Sequence, residues 1–401
     1  MDGICLVSPT VADVMKDGDL DIYALLLCIC QCIGDNKRVE QWWYGTGMHT
    51  KCFQGPDRAG TSVLDTANPA MRKILLSLIV PVAVTAFSAT DVPAMPLSMR
   101  EALVKKSKEI NPENYATPGW SNRAGTVLTP ISLDPGVYTG DRPFYWNNID
   151  VSCRMTVVEL PTKTNGKPDL WVHSPVNLDG AMMETINKLG NVKFVMSPNY
   201  EHLKFAAAWY QNFPGASMWG CPGLMERKDD VKWDGEIADG FRPKGWKGGD
   251  GTYVSPDAGL WDTDILQPLH INIEKNPFTG RPFFNEVIFF HAPSKTLIAT
   301  DLFWNYPGSV VPNKEFGRDD SWELAPVVDE IPLGSRAWKV GMDKVYAPFF
   351  NNFMVTDKSE YRDICNHILN VWDVETAIPA HGDILRGKEL IRSVLKKSFG
   401  F

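Results

Sequence analysis

The sequence has no concentration of basic residues and none of the short motifs that mark nucleotide-binding or serine-nucleophile enzymes. Its 401 residues carry a formal net charge of −8 without a Lys/Arg cluster. Duplex binding needs a concentrated basic face, so we expect no nucleic-acid partner. A Gly-rich phosphate loop and a Gly-x-Ser-x-Gly turn are both missing, which leaves nucleotide binding and serine hydrolysis without support.

Cysteine is also arranged in a way that excludes familiar frameworks. Of the eight Cys residues, only Cys153, Cys221 and Cys365 fall in the part that we interpret as a folded domain. Three widely separated thiols form neither a disulfide framework nor a zinc knuckle. The Cys residues within 28–32 alternate with other residues, a spacing that does not match a Cys-x-x-Cys zinc site. What remains is an ordinary globular composition, 44% hydrophobic and 22% charged, with enough apolar mass for a full core.

The N-terminal part has the pattern of a leader followed by a targeting signal. Residues 1–70 show no sustained periodicity, and we interpret them as a poorly ordered leader of uncertain reality. In the segment 71–96, two basic residues precede an apolar run that ends in small residues, which is typical of a signal peptide. The apolar run is short and broken by Pro, whereas a membrane span needs about 20 apolar residues. A single tether through residues 74–89 is the alternative.

The residue after the expected cleavage site gives a prediction of location. If cleavage follows Ala86, the next residue is Phe87. This resembles the bipartite targeting signals of algae with secondary plastids, in which Phe follows the signal-peptide site. We therefore predict a plastid protein with a transit peptide, and the alternatives are a secreted or a membrane-anchored protein.

The rest of the chain alternates strand and helix patterns. Residues 97–150, rich in Pro, Gly and aromatics, are interpreted as an arm packed on the domain, and residues 151–401 as the domain itself. Alternation of strands with helices predicts a layered α/β arrangement. Strands are predicted at 155–160, 170–173 and 192–196, a hairpin at 285–301, and helices at 178–189, 203–213, 357–371 and 386–397. Residues 214–260 are predicted to be a long loop.

Several short motifs occur in the order found in the metallo-β-lactamase-like hydrolases. A strand is followed by Ser-Pro-Asn-Tyr-Glu-His at 197–202, a second strand ends in Asp301, and a late turn reads Pro-Ala-His-Gly-Asp at 379–383. From about residue 142 the chain resembles one branch of this superfamily, catalogued as a domain of unknown function in bacteria, plants and algae. The motifs that carry the resemblance lie at 142–146, 170–176, 197–202, 285–291, 293–302 and 379–383.

The resemblance implies an α/β fold, a four-layered αββα sandwich, whose site lies at the edge of two sheets. It puts His202, Asp301 and His381 at three metal-ligand positions, which together could hold one divalent ion, Zn, Fe or Mn. Catalytic zinc needs about three protein ligands and an open position. Glu201 and Asp383 are the candidates for handling the proton. The plain alternatives are a helix cap for His202 and a turn acceptor for Asp301.

Other positions depart from the pattern of the superfamily, whose first motif is His-x-His-x-Asp-His. Ser197 and Asn199 stand where two His would complete a first metal site, and a third His position falls near Glu286. Such losses shift the ligands from nitrogen toward oxygen. His173, at a predicted strand end, is expected to support the site from behind or simply to be buried. The resemblance therefore implies a degenerate site that holds at most one metal ion, or none.

Two functions follow from this pattern. The first is a metallo-hydrolase-like protein of unknown substrate, with the long loop covering an unknown small molecule. The second is a catalytically inactive binding or assembly protein on the same fold, with a protein partner. Metal content separates them.

Overall fold

A computed structural model describes most of the chain beyond residue 94 and one strand pair before it. The described residues are 38–44, 47–53, 95–111, 119–248, 261–306 and 331–400. The chain divides into two compact units, residues 1–84 and 85–401. In the first, strands β1 (Arg38–Tyr44) and β2 (Gly47–Phe53) pair antiparallel.

The predicted leader and targeting segment lie almost wholly outside the described residues, apart from that strand pair. The same holds for residues 74–89, so the predicted tether is not tested. Among the helices that the structure does describe, none is both long enough and apolar enough to cross a membrane.

The second unit contains a seven-stranded sheet, sheet 1, with the strand order β11-β10-β9-β8-β7-β4-β3. Its strands are β3 (Thr129–Leu133), β4 (Gly136–Arg142), β7 (Cys153–Thr164), β8 (Lys167–His173), β9 (Asn191–Ser197), β10 (Ser217–Gly220) and β11 (Gly235–Glu236). The strands from β8 to β11 run parallel, and those from β3 to β8 pair antiparallel. A small strand pair, β5 (Tyr145–Trp146) and β6 (Ile149–Asp150), lies between β4 and β7 in the chain.

Sheet 2 has five strands in the order β12-β13-β14-β15-β16. They are β12 (Leu266–His270), β13 (Val287–His291), β14 (Thr296–Ile298), β15 (Thr376–Ile378) and β16 (Leu385–Arg386). Strands β14 and β15 are parallel, and the other pairs are antiparallel. The β13–β14 hairpin confirms the hairpin predicted for 285–301.

Seven α-helices accompany the sheets within the described residues. They are α1 (Leu97–Ile110), α2 (Gly180–Leu189), α3 (Ala206–Asn212), α4 (Leu333–Gly341), α5 (Ala347–Phe349), α6 (Lys358–Asn366) and α7 (Lys388–Phe399). Wider π-type turns cover Met342–Tyr346, Phe350–Met354 and His367–Val371. In α2, Asp179 caps the first turn by accepting from the Met182 N–H at 2.8 Å, a preferred N-cap residue.

The two sheets pack face to face, and helices cover their outer faces. On β13 the side chains alternate: Val287 and Phe289 join a first core that also includes side chains of sheet 1, whereas Ile288 and Phe290 join a second core on the opposite face of β13. Trp171 of sheet 1 meets Phe289 edge-on, with ring centroids 4.8 Å apart.

Helix α2 contributes Met182, Ile186 and Leu189 to the first core, and α6 and α7 contribute Ile364, Ile391 and Leu395 to the second. The order of layers is therefore helix, sheet, sheet, helix. The predicted αββα sandwich is confirmed.

The element boundaries differ from the predicted ones at all four predicted helices, and α2 begins at Gly180 instead of residue 178. Helix α3 begins at Ala206 instead of residue 203, because residues 201–205 are bends and turns. Helix α6 ends at Asn366 and continues as a π-type turn. Helix α7 begins at Lys388 instead of Arg386, since Arg386 pairs in β16 and Gly387 has φ 93°.

Two segments in which the sequence patterns predicted no strand, the arm and the long loop, contribute strands to sheet 1. Residues 97–150 include β3 and β4, which extend sheet 1, so this part of the arm is integral to the sheet. Residues 214–260 include β10 and β11. In β10 the buried residues are Met218, Trp219 and Gly220, and both residues of β11 are half-buried, a composition that shows no alternation in the sequence. Residues 249–260 lie outside the described part.

Candidate metal centre

His202 is placed by a turn that follows β9 and is held by the side chain of Asn199. The Asn199 Oδ1 accepts the backbone N–H groups of Glu201 at 3.0 Å and of His202 at 2.8 Å. A side-chain oxygen that accepts two successive N–H groups shapes the chain into a tight turn. The turn puts the His202 ring at the edge of sheet 1, with 7% of its side chain exposed.

Asp301 follows β14 and is positioned by the buried carboxylate of Glu286. One Glu286 oxygen accepts the Thr300 N–H at 2.5 Å and the Thr300 hydroxyl at 2.7 Å, and the other accepts the Asp301 N–H at 2.9 Å. Burial, and then the neighbouring Asp301 charge, raise the pKa of Glu286 to about 8. Glu286 therefore holds the backbone of the Asp301 turn.

His381 lies on a turn after β15 that requires glycine at the next position. Gly382 has φ +87°, and a Cβ there would lie 2.2 Å from the carbonyl carbon and oxygen of Asn305. The Asn305 N–H donates to the His381 carbonyl at 3.2 Å, and the Asp383 N–H donates to the Asn305 carbonyl at 2.7 Å. Only a residue without a side chain allows this backbone approach.

The three side chains converge on one point. The His202 Nε2 lies 3.3 Å from an Asp301 carboxylate oxygen and 3.2 Å from the His381 Nε2. The His381 Nε2 lies 3.7 Å from the other Asp301 oxygen. Among the residues that the structure describes, these are the one group of three His, Cys, Asp or Glu side chains whose ligand atoms all lie within 4.8 Å of one another.

Hydrogen bonds on the far side of each ligand fix its orientation. The His381 Nδ1 lies 2.8 Å from the Ser152 carbonyl and 3.2 Å from the Val151 carbonyl, so Nδ1 carries the proton and donates. The Nε2 lone pair therefore points to the centre. The His202 Nδ1 lies 2.7 Å from the Ser174 hydroxyl. Such outer contacts set the tautomer and the ring plane of metal-binding histidines.

Asp301 is held in the same way by two donors. The Trp304 indole N–H donates to Oδ1 at 3.0 Å, and the Asn199 amide donates to Oδ2 at 2.7 Å. Only 6% of the Asp301 side chain is exposed. Two imidazole nitrogens and one carboxylate are thus presented from three separate strand ends.

The charges in this group are strongly coupled. Burial alone lowers the pKa of His202, but the Asp301 carboxylate beside it raises that pKa well above the usual value. For Asp301 the order is reversed: burial raises its pKa, and His202 holds it below the usual value. Burial lowers the pKa of His381 to about 4. A neutral His381 next to a charged His202–Asp301 pair is the result.

The geometry and the donor set both fit a divalent ion. Zinc–nitrogen bonds of about 2.0–2.1 Å with tetrahedral angles place neighbouring ligand atoms about 3.3 Å apart. The three observed separations are 3.2, 3.3 and 3.7 Å. Imidazole nitrogen suits zinc and iron, and carboxylate oxygen adds affinity for manganese.

The remaining predicted site residues are placed elsewhere. Asn199 and Glu286 serve the turns as described, with their oxygens engaged by backbone N–H groups. Ser197 is fully buried, and its hydroxyl has no hydrogen-bond partner among the described residues. The three positions that would carry histidines in a binuclear enzyme therefore supply no ligand to the group.

The two residues predicted to handle the proton do not join the group either. Glu201 is exposed, and its backbone N–H contributes to the Asn199 turn. Asp383 is buried and forms an ion pair with Arg123. The reason is local: Gly382 reverses the chain, so that Asp383 points away from the ring of His381 toward the segment at residues 119–125.

His173 is buried between aromatic rings. Its ring stacks on Trp171 with centroids 5.5 Å apart and meets Phe289 edge-on at 5.5 Å. Its Nε2 has no hydrogen-bond partner within the described part of the chain. Burial, and then the charge of His202, lower its pKa well below the usual value.

Sequence reasoning missed four residues that contact the three ligands or hold their turns. Ser174 and Trp304 bond to His202 and Asp301, and Arg123 pairs with Asp383. Cys153, a buried free thiol, is a further neighbour of the His202 ring. Only Ser174 had a local signal, since it directly follows the end of β8. Trp304 is only three residues from Asp301, whereas Arg123 and Cys153 come from segments far away in the chain.

Comparisons with known proteins bear on the fold. The family model described as "Domain of unknown function (DUF4336)" matches residues 136–313. No curated protein matches the chain.

Similar solved structures include a metallo-β-lactamase from Pontibacter korlensis, at 10% identity and TM-score 0.38, covering 68% of this chain and 96% of that one. A second is described as the peroxy diiron species of the chemotaxis sensor ODP, at 12% identity and TM-score 0.37, covering 66% and 91%. A third is rubredoxin oxygen:oxidoreductase from the anaerobe Desulfovibrio gigas, at 13% identity and TM-score 0.39, covering 68% and 61%.

At these scores the solved structures do not bear on the chemistry of the centre. The layered architecture and the family match confirm the resemblance that the motifs indicated. The part of this chain that matches a known family is therefore residues 136–313, which match the model described as a domain of unknown function, DUF4336.

Proposed function

We propose that the protein is a metal-dependent hydrolase with a mononuclear centre formed by His202, Asp301 and His381. The observation that carries the proposal is the convergence of three ligand atoms at separations of 3.2 to 3.7 Å. Each candidate ligand is also oriented by a further hydrogen bond. Ser174 contacts His202, Trp304 and Asn199 donate to Asp301, and the Ser152 carbonyl accepts from His381. Side chains without a ligand to hold rarely need that much orientation.

A single ion is proposed because the part of the chain that the structure describes offers no second ligand set. The oxygens of Asn199 and Glu286 already accept backbone N–H groups. Ser197 has only a hydroxyl to offer where a histidine would be required. One His₂Asp set has the three protein ligands of a catalytic site and leaves an open position for water or substrate.

When bound, a divalent ion in such a set acidifies a water molecule for attack on a carbonyl or phosphoryl centre. The protein's own residues hold and orient. His381 keeps its proton on Nδ1, because the Nδ1–H group donates a hydrogen bond to the Ser152 carbonyl. The Nε2 atom is therefore available as a ligand. Asp301 supplies the single negative charge, and its two donors keep both oxygens in place.

One observation favours the alternative, a catalytically inactive binding protein on the same fold. Neither residue predicted to handle the proton joins the ligand group, since Glu201 is exposed and Asp383 pairs with Arg123. A metal centre without a nearby acid or base could bind a ligand and leave it unchanged. The location in a plastid and the identity of any partner stay predictions from the sequence.

The test is metal content. The full-length protein is purified without chelator or metal-affinity tag and assayed by elemental mass spectrometry, beside His381→Ala/Asp301→Ala and the control His291→Ala. His291 is also buried, but it bonds to Ser294 in the hairpin turn, outside the ligand group. Near-stoichiometric zinc, iron or manganese in the wild type and the control, and none in the double variant, is expected. No metal in any of them after soaking, with all equally folded, overturns the proposal.

A further inference from the structure

The turn that carries His381 is held by side chains from other parts of the chain. The Arg154 guanidinium donates to the Pro379 carbonyl at 2.8 Å and to the Gly382 carbonyl at 2.7 Å, and it pairs with Asp141 at 2.7 Å. The Asn305 amide donates to the Asp383 carbonyl at 2.8 Å. These contacts fix the backbone of the turn on two sides.

An ion pair between Asp383 and the segment of residues 119–125 adds a third contact to this turn. Arg123 pairs with one oxygen of the Asp383 carboxylate, and the two side chains are 6% and 1% exposed. This segment precedes sheet 1 in the chain, and 260 residues separate the two partners. A contact of this kind couples the ligand turn to a part of the chain that supplies no ligand.

The surroundings of the pair make Arg123 the cation on which Asp383 depends. The second Asp383 oxygen has no hydrogen-bond partner among the described residues, and neither has the neighbouring Ser152 hydroxyl. Both residues line a small cavity, together with Trp120, Asn122 and Arg154. An anion in so little solvent is costly unless it is paired, and removal of its partner leaves an uncompensated buried charge.

Residues that line this cavity also contact or directly follow His381. The Ser152 carbonyl accepts the hydrogen bond from the His381 Nδ1–H group. Gly382 and Asp383, which also line the cavity, follow the histidine directly. If Asp383 loses its cation, the turn must shift or water must enter next to Ser152. Either change moves the His381 ring relative to His202, across a separation that is now 3.2 Å.

We infer that Arg123 is a positioning residue for the metal centre, acting through Asp383 on the orientation of His381. This inference rests on the proposed function for its effect on metal binding, but not for its effect on the histidine ring. Loss of such an outer contact typically lowers metal affinity about 10- to 100-fold.

The experiment compares Arg123→Met with a matched control, Arg142→Met, in the full-length protein. Arg142 is another largely buried arginine, 11% exposed, and it bonds to the Val127 and Asp141 carbonyls instead of the His381 turn. Zn²⁺ affinity is measured by competition with a chromophoric chelator. The tautomer of His381 is read from the ¹⁵N resonances of histidine-labelled protein without metal.

The expected result for Arg123→Met is a zinc dissociation constant about 10- to 100-fold higher, with changed His381 resonances. The control is expected to bind zinc like the wild type. Arg123→Lys should retain most of the affinity because it keeps the cation. Arg123→Met/Asp383→Asn should recover part of the loss, because no buried charge is left unpaired. The His381 resonances of the folded protein separate this effect from a contribution to general stability alone.

Two outcomes overturn parts of the argument separately. Wild-type zinc affinity together with unchanged His381 resonances in Arg123→Met excludes the positioning role. If the wild type itself binds no zinc, the proposed function fails. The resonances then decide alone: a change in Arg123→Met but not in Arg142→Met supports the positioning role, and no change overturns it.

Discussion

The side-chain amide of Asn199 donates to the Asp301 carboxylate at 2.7 Å and so joins the end of a sheet 1 strand to the end of a sheet 2 strand. The same amide group accepts the backbone N–H groups of Glu201 and His202. One residue thus sets the relative position of two of the three candidate ligands. Asn199 stands at a position where the His-x-His-x-Asp-His motif of the metallo-β-lactamase-like superfamily has a histidine.

Asn199→Ala is expected to destabilise the fold and to weaken the metal centre. The change leaves two turn N–H groups and a buried carboxylate oxygen without their partner, at a cost of at least about 2 kcal/mol. Urea unfolding monitored by tryptophan fluorescence measures it. The control is Asn212→Ala, which removes one exposed bond to the Ala208 carbonyl and should stay within about 0.5 kcal/mol. Equal effects of the two changes would contradict the assigned role.

Gly382→Ala is expected to prevent the His381 turn from forming. The new Cβ would lie 2.2 Å from Asn305 backbone atoms at φ +87°, and the backbone cannot move without breaking the bonds to Asn305. The expected loss is above about 4 kcal/mol, in the range of severe strain. Soluble yield and thermal unfolding by circular dichroism measure it.

Gly341→Ala provides the matched control for that change. Gly341 ends α4, and a Cβ there meets nothing within 4 Å. Alanine is the better helix former, so this variant should gain about 0.5–1 kcal/mol. A wild-type-like Gly382→Ala protein would show that the turn is less restricted than its contacts imply.

Ser174→Ala is expected to lower zinc affinity about 10- to 100-fold and to lower the free energy of unfolding by about 1–3 kcal/mol, because the buried His202 Nδ1 loses its partner. The hydroxyl contacts the His202 Nδ1 at 2.7 Å, and without it the ring loses its fixed tautomer. Ser174→Gly separates orientation from backbone strain. Ser174 has φ 51°, so glycine should fold about 1 kcal/mol more stably than alanine and bind zinc equally weakly. Zinc titration by calorimetry, with unfolding measured in parallel, tests the pair. Undiminished affinity in both would exclude the Ser174 contact as an orienting one.

Acidification is expected to destabilise the fold through His291. Burial lowers the pKa of His291 to about 4, whereas the unfolded chain titrates near 6.5. Between these values the unfolded state binds a proton that the folded state does not. The contribution of neutral His291 is therefore fully present above about pH 6.5. It is lost as the pH falls toward 4, by up to about 1.4 kcal/mol per pH unit.

The measurement is urea unfolding at several pH values between 4 and 7.5, for the wild type and for His291→Asn. The asparagine side chain does not titrate in this range, so the slope below pH 6.5 should be smaller in the variant. Identical slopes would show that His291 contributes nothing to the acid sensitivity.

Zinc is expected to stabilise the folded protein by mass action. At a free concentration of 100 times the dissociation constant, the free energy of unfolding should rise by about 2.7 kcal/mol. Asp301→Asn should show no such rise, because it removes the one negative charge of the ligand group. Chemical unfolding with and without Zn²⁺ measures this. A rise of the same size in Asp301→Asn would place zinc elsewhere on the protein.

Much of the fold could be predicted because the spacing of apolar residues along the chain indicates individual helices and strands. The 3.6-residue spacing of Met182, Ile186 and Leu189 marks helix α2, and the two apolar runs around residues 292–295 mark the β13–β14 hairpin. Strands β10 and β11 could not be predicted from alternation. They are only four and two residues long and lie in a stretch rich in Gly and Trp, so the sequence carries no period-2 signal there.

For the candidate site, the sequence by itself indicated three candidate ligands, His202, Asp301 and His381, through the order of motifs that resembles the metallo-β-lactamase-like hydrolases. The tertiary structure alone decided what their neighbours do. Asn199, Glu286 and Asp383 are polar residues beside predicted ligands, and by residue type each could bind metal or move a proton. Their oxygens are engaged instead by backbone N–H groups and by Arg123. The physical reason is that a hydrogen-bond partner is set by distance in space, and here most partners lie far apart in the chain.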